Sequence, residues 1–213
     1  LPPVVPGSRA GAMPLSYAQQ RLWLLDRMEP GNPNYNYPGG LRLSGGLNVS
    51  ALNHGVNEIV RRHDVLRATF SDHDGTPVQT IVPPRPASLP IVDLGSLTSE
   101  ERERTIGQLA EAEAKRPFDL AQDPLLRITL LQLGEQENVI LFNMHHIACD
   151  GWSIGLFVRE LSDTYQAFSR GGCSPLSELP LQYSDFAEWQ RQWFEGEALE
   201  AQLDYWRRRL GGQ

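Results

Sequence analysis

The chain has 213 residues, 40% of them hydrophobic, with a net charge of −7 and a pI near 5.2, enough for one domain with its own core. Its 18 arginines are scattered rather than gathered in a stripe, which argues against a nucleic-acid surface, and a single lysine, Lys115, with no GxGxxG or GxxxxGK spacing argues against Schiff-base and nucleotide-binding chemistry. Cys149 and Cys173 show no CxxC spacing that would suggest a disulfide framework or zinc site, and no apolar run approaches the roughly 18 residues of a membrane span, so a soluble, cytoplasmic chain is expected.

Residues 1–14 carry Pro2, Pro3, Pro6 and Pro14, the composition of an extended linker arriving from an upstream domain. Ser16 then opens an amphipathic helix that ends by Pro30-Gly31, and a short strand follows around Tyr37 to Leu43. Asn48 is placed to cap a helix with Leu52, Val56, Ile59 and Val60 on one face, which delivers Arg61-Arg62-His63 at its end. LRATFSD and TPVQTIVP, separated by His73-Asp74-Gly75, predict a hairpin. Thr98 and Glu101 form a capping box for a helix that Pro117 stops.

LLRITLLQL and NVILFNM predict a second hairpin whose continuous apolar character suits strands buried on both faces. Its second strand runs into His145-His146, and Ser153 is expected to cap a helix lined by Ile154, Phe157, Val158, Leu161, Tyr165 and Phe168. Two aromatic-rich helices close the chain, carrying Tyr183, Phe186, Trp189, Trp193 and then Leu203, Trp206 and Leu210. Strands alternating with helices give an α/β lobe, a mixed sheet covered by helices. The expected divisions are a linker over 1–14, the lobe over 15–180 and the aromatic-rich helices over 181–213.

The chemistry concentrates in His145-His146-Ile147-Ala148-Cys149-Asp150-Gly151. Adjacent histidines at the end of a strand point to opposite faces, so one faces a given cavity and the pair does not share one metal in the usual way. An imidazole at the edge of a buried sheet suits general-base work, since its pKa lies near the working pH. Asp150 has two available roles, orienting the imidazole or pairing with an arginine to fix the turn, and Gly151 admits a backbone that bulkier residues resist. The heptad alone fits catalysis and a hydrogen-bonded structural turn equally well.

Three further segments shift that balance. MHHIACDGWS resembles the HHxxxDG signature of the condensation-domain superfamily of non-ribosomal peptide synthetases. SYAQQRLWLL (16–25), RHDVLRATF (62–70) and YSDFAEW (183–189) resemble that family's first, second and fourth motifs, in the same order. The departures are small: Asp64 where glutamate is usual, Ala68 for threonine, Cys149 where serine is common. Motifs that normally follow the fourth are absent, so the resemblance is to an N-terminal lobe, of the type that joins two L-configured residues.

The resemblance implies a chloramphenicol-acetyltransferase-like fold, in which two such lobes enclose a tunnel. Substrates then arrive on phosphopantetheine arms of an upstream donor and a downstream acceptor peptidyl carrier protein, with no cofactor or metal held by this chain and no nucleic-acid or membrane partner. It implies His146 as the catalytic residue, positioning or deprotonating the acceptor amine, and His145 as packing. Asp150 is implied to be structural, bonded to Arg62 or alternatively Arg67, with the backbone at Gly151 close to the thioester. Arg61, His63 and His73 read as surface or turn residues, and Trp189, Trp193 and Trp206 as core or lobe-interface packing. The competing readings are an epimerisation domain and a non-catalytic module that docks carrier proteins or tailoring enzymes. A heterocyclisation domain would carry aspartate in place of His145.

Overall fold

The computed structural model describes residues 2–8 and 11–211. Two sheets form the framework. The larger contains β2 (Asn36–Ser44), β5 (Ile91–Asp93), β6 (Leu126–Gly134) and β7 (Glu137–His145) in the order β2-β7-β6-β5. Both β2 and β6 run antiparallel to β7, and β5 runs parallel to β6, so the sheet is mixed. The smaller sheet, β1-β4-β3, is built from β1 (Met13–Pro14), β3 (Ala68–His73) and β4 (Thr76–Ile81). The β3–β4 hairpin turns through Asp74 and Gly75 at φ 51° and 81°, the paired positive values that a two-residue type I′ turn requires.

The described residues form six α-helices: α1 (Tyr17–Met28), α2 (Val49–Arg62), α3 (Ser99–Lys115), α4 (Gly151–Ser169), α5 (Tyr183–Trp193) and α6 (Gly196–Leu210). The caps expected for the first three are present. Ser16 and Gln19 close a capping box on α1, the Asn48 side chain accepts from Ala51 N at 3.0 Å, and Thr98 and Glu101 box the start of α3.

The apolar stripes of α2 and α4 cover one face of the large sheet, where Leu52, Val56, Ile59, Phe157 and Leu161 meet Ile128, Leu130, Ile140 and Phe142. The opposite face, through Leu131, Leu133, Val139 and Leu141, takes Ile106 and Leu109 of α3. Coverage from both sides explains why β7 is buried from Asn138 to His145 and why its sequence reads as an unbroken apolar run. β6 departs from this, with Arg127, Thr129 and Gln132 only partly buried.

The proline-rich start does not stay free of the lobe: Met13 and Pro14 pair with Gln79 and Val78 as β1, and Leu15 is buried. At the other end, Leu203, Tyr205, Trp206 and Leu210 of α6 are exposed. Among the described residues no helix is long and apolar enough to cross a membrane.

Candidate active site

β7 is the central positioning element, because it is hydrogen-bonded along both edges and has no freedom to slide. His145 N donates to Leu125 O at 3.2 Å and His146 N to Tyr35 O at 2.8 Å, so the two histidines are pinned where the strand ends and the loop to α4 begins. The pleat then separates them. His145 is 3% exposed, packed beside Phe118 and Tyr35, and its Nδ1 accepts from Ile147 N at 3.1 Å. Burial, and secondarily the neighbouring His146 and Arg127, lowers its pKa to about 4, so it is a neutral packing group.

His146 lies on the exposed side, edge-on to the Tyr37 ring at 6.1 Å. Its Nδ1 lies 2.6 Å from Cys149 O. A carbonyl oxygen only accepts, so Nδ1 carries the proton. In the neutral ring the lone pair therefore belongs to Nε2, which makes no hydrogen bond among the described residues. The loop thus fixes ring orientation and tautomer together, and leaves one basic nitrogen available.

Cys149 is buried, and desolvation together with the Asp150 charge pushes its thiol up to about 12. A thiol held that far from ionisation is no nucleophile. Its contribution is the carbonyl that holds His146.

Asp150 is where the structure departs from the sequence. It is exposed, and it is the N-cap of α4, accepting from Ser153 N at 2.9 Å and Ser153 Oγ at 2.7 Å, while Ser153 returns a bond to Asp150 N. Ser153 is therefore the reciprocal third residue of a capping box rather than the cap itself. The Ser153 hydroxyl, then the helix-start amides and the nearby His146, hold the Asp150 carboxyl below its usual range.

Neither predicted arginine serves Asp150, because both are committed to other partners. Arg67 pairs with Asp64 and donates to Val60 O and Val82 O. Arg62, 8% exposed at its side chain, donates to Glu160 Oε1 at 3.1 Å and to Ser177 O at 3.0 Å. Gly151 also differs from expectation: it opens α4 without a positive φ, and the nearest obstacle to a Cβ is the Tyr37 hydroxyl at 3.4 Å.

Three features were not predicted from sequence. Glu160, buried on α4, joins Arg62 and His63, whose Nε2 lies 2.7 Å from Glu160 Oε2, so His63 belongs to a largely buried polar cluster rather than to the open surface. The acid at Glu160 on an otherwise apolar helical face was the signal for it. Trp152, directly beside the heptad, is 88% exposed. A cavity of about 200 Å³ lies behind the loop, lined by Ile59, Met144, Cys149, Ser153, Leu156 and Leu181. A larger concavity, about 570 Å³ between α3 and β2, has no heptad residue in its lining, and its Glu113 is already paired with Arg127. Among the described residues no group of three or more His, Cys, Asp or Glu is placed to hold a metal ion.

The family model described as the condensation domain matches residues 9–213. A linear gramicidin synthase polypeptide of Brevibacillus parabrevis is 50% identical over 98% of the chain, and malpinin synthetase of Mortierella alpina is 42% identical over 98%. The chain spans only 3% of the length of each of these relatives. Among solved structures, the X-domain in its complex with OxyB from teicoplanin biosynthesis superposes with a TM-score of 0.87 at 30% identity, covering 100% of this chain and 46% of that one. The starter condensation domain of the rhizomide synthetase RzmA carries the same fold, with a TM-score of 0.85 at 22% identity over 95% of this chain and 49% of its own. These neighbours make the fold chloramphenicol-acetyltransferase-like, mixed sheets covered by helices, and the chain belongs to the condensation-domain family.

Proposed function

We propose that this chain is the N-terminal lobe of a condensation domain that forms a peptide bond in non-ribosomal peptide synthesis, a carrier-bound aminoacyl amine attacking a carrier-bound donor thioester. The observation that carries this reading is His146: its Nδ1–H is held by Cys149 O, its ring is exposed, and its neighbour His145 is buried and neutral.

In the reaction the amine nitrogen adds to the thioester carbonyl carbon and a tetrahedral oxyanion forms. Its collapse expels the pantetheine thiolate as the C–S bond breaks. The proton lost by the amine passes to Nε2 of His146 and then to the departing sulfur, so the imidazole is regenerated. An α-amine with a pKa near 7.7 is already partly neutral at working pH, so alignment of two tethered reactants is the larger contribution. Proton transfer adds on the order of 10²-fold.

The donor and acceptor arms belong to carrier proteins, and the second lobe is assigned to cover the exposed side of the loop, where Trp152 and His146 lie. The test supplies the complete domain with loaded donor and acceptor carriers. A dipeptidyl carrier product by mass spectrometry is expected; an epimerised aminoacyl carrier without a new amide would assign the site to isomerisation instead.

A docking module is the second reading, favoured by the solved X-domain that forms a complex with OxyB. It predicts partner binding without dipeptide in the same assay.

A further inference from the structure

The first residues of the chain take an unexpected course. Pro2, Pro3 and Pro6 lack amide hydrogens and hold extended backbone, so residues 2–8 do not extend the adjoining sheet. They lie along α5 instead. Trp189 Nε1 donates to Pro2 O at 2.8 Å, and Gly7 N donates to Asp185 Oδ1 at 2.9 Å. Residues 185 and 189 are one helical turn apart and share a face of α5.

The chain then passes Gly11 at φ 82° and returns along α5's other side. There Ser16 Oγ meets Tyr183 Oη at 3.1 Å, Tyr17 N donates to Gln190 Oε1 at 2.9 Å, and Arg191 Nε donates to Leu15 O at 2.7 Å. α5 is held between the two passes.

Trp189, which meets Pro2, belongs to an aromatic row along α5 with the composition of a proline-recognition surface. Phe186, Trp189 and Trp193 are half-buried and follow one another at centroid distances of 5.8 and 5.5 Å, the two indoles stacked at 12°. Aromatic rows with an indole N–H donating to a backbone carbonyl are how grooves recognise extended proline-rich segments: the segment loses little entropy on docking and its carbonyls are free to accept.

We propose that this aromatic face of α5 is a binding site for a proline-rich extended segment, occupied by the chain's own residues 2–8. Docking fixes the place and direction at which polypeptide joined ahead of residue 2 meets the lobe. The consequence for catalysis rests on the proposed function: a donor carrier attached there is held at a set position, which raises its effective concentration at the site.

Hydrogen exchange of the intact chain tests the site itself. The Gly7 amide should be protected, and Trp189→Ala or the combined Pro2→Ala, Pro3→Ala and Pro6→Ala replacement should speed its exchange by roughly five- to tenfold, the scale of one lost hydrogen bond with its packing. The amides of α5 at Ala187 and Gln190 serve as the internal reference and should keep their rates. Trp189→Phe, which keeps a ring and loses the donor, should fall between. Gly7 exchange at the rate of an unstructured peptide in the parent chain, or unmoved by all three variants, would overturn the site. In the complete domain, Trp189→Ala should reduce dipeptide formation more for a donor carrier fused ahead of residue 2 than for one added in trans; equal losses would overturn the tethering role while leaving the condensation chemistry intact. No dipeptide from either arrangement, with Gly7 exchange as predicted, would refute the proposed function and leave the site standing.

Discussion

At the residue scale, adjacent imidazoles with opposite environments have opposite consequences. His145 is neutral in the fold, with its pKa lowered to about 4, and ordinary once unfolded. The unfolded chain therefore binds the extra proton between pH 6.5 and 4. Stability from this group is complete above about 6.5 and declines as pH falls toward 4, by at most about 1.4 kcal/mol per pH unit. Denaturant melts of the parent at pH 7 and pH 5 should show this loss, and His145→Asn should flatten the difference; an equal pH dependence in the variant would remove His145 as its source.

Asp150 leads to a different number from the one its motif suggests. As an exposed helix cap it should cost about 1 kcal/mol on replacement by alanine and be restored largely by serine or asparagine. An interior ion pair would cost about 3–5 kcal/mol, with no such rescue. The heptad was legible in the sequence because period-two alternation separates the two histidines without any tertiary information. The Asp150 partner was not legible: the choice between a capping hydroxyl three residues on and an arginine some eighty residues back depends on where α2 ends in space.

At the element scale, the link between α2 and α4 is the buried cluster of Arg62, Glu160 and His63, which also binds the 171–182 segment through Ser177 O. Arg62→Ala leaves the Glu160 carboxylate buried with half its partners, and should destabilise the fold by about 3 kcal/mol or more. Double-mutant cycles read by denaturant unfolding should show coupling of Arg62 with Glu160 and near-additivity of Arg62 with Asp150. The reverse pattern would restore the predicted arginine–aspartate pair.

The helices and both hairpins could be read from apolar spacing and turn residues, because α2, α4 and β7 each repeat one pattern over nine residues or more. β1, with two residues, and β5, with three, carry too few positions for any period to show, and they exist because β4 and β6 offer them an edge. Glu160 on the buried face of α4 broke the helical pattern, and a sequence reading that fills such a face with apolar residues passes over it.

At the scale of the whole molecule, the chain corresponds to 46% of the solved X-domain and folds around three apolar clusters of its own. It should therefore unfold cooperatively on its own, as the proposed reading of it as one lobe requires. Its exposed features, Trp152 beside the heptad and Leu203, Trp206 and Leu210 on α6, are surfaces that a second lobe is expected to cover. Sedimentation should show self-association of the lobe that disappears when the second lobe is supplied. Dipeptide formation by the lobe alone should be negligible, since one wall neither aligns two tethered reactants nor excludes water from them.

The proposed function places catalysis on a single nitrogen, Nε2 of His146, and one comparison tests that proposal most directly: dipeptide formation by the complete domain with loaded carriers, parent against His146→Ala, alongside thermal melts of both. The expected result is a loss on the order of 10²-fold or more with an unchanged melt, because the side chain is exposed and its removal leaves the core intact. Turnover near the parent rate in a variant that melts like the parent would contradict the catalytic role of His146.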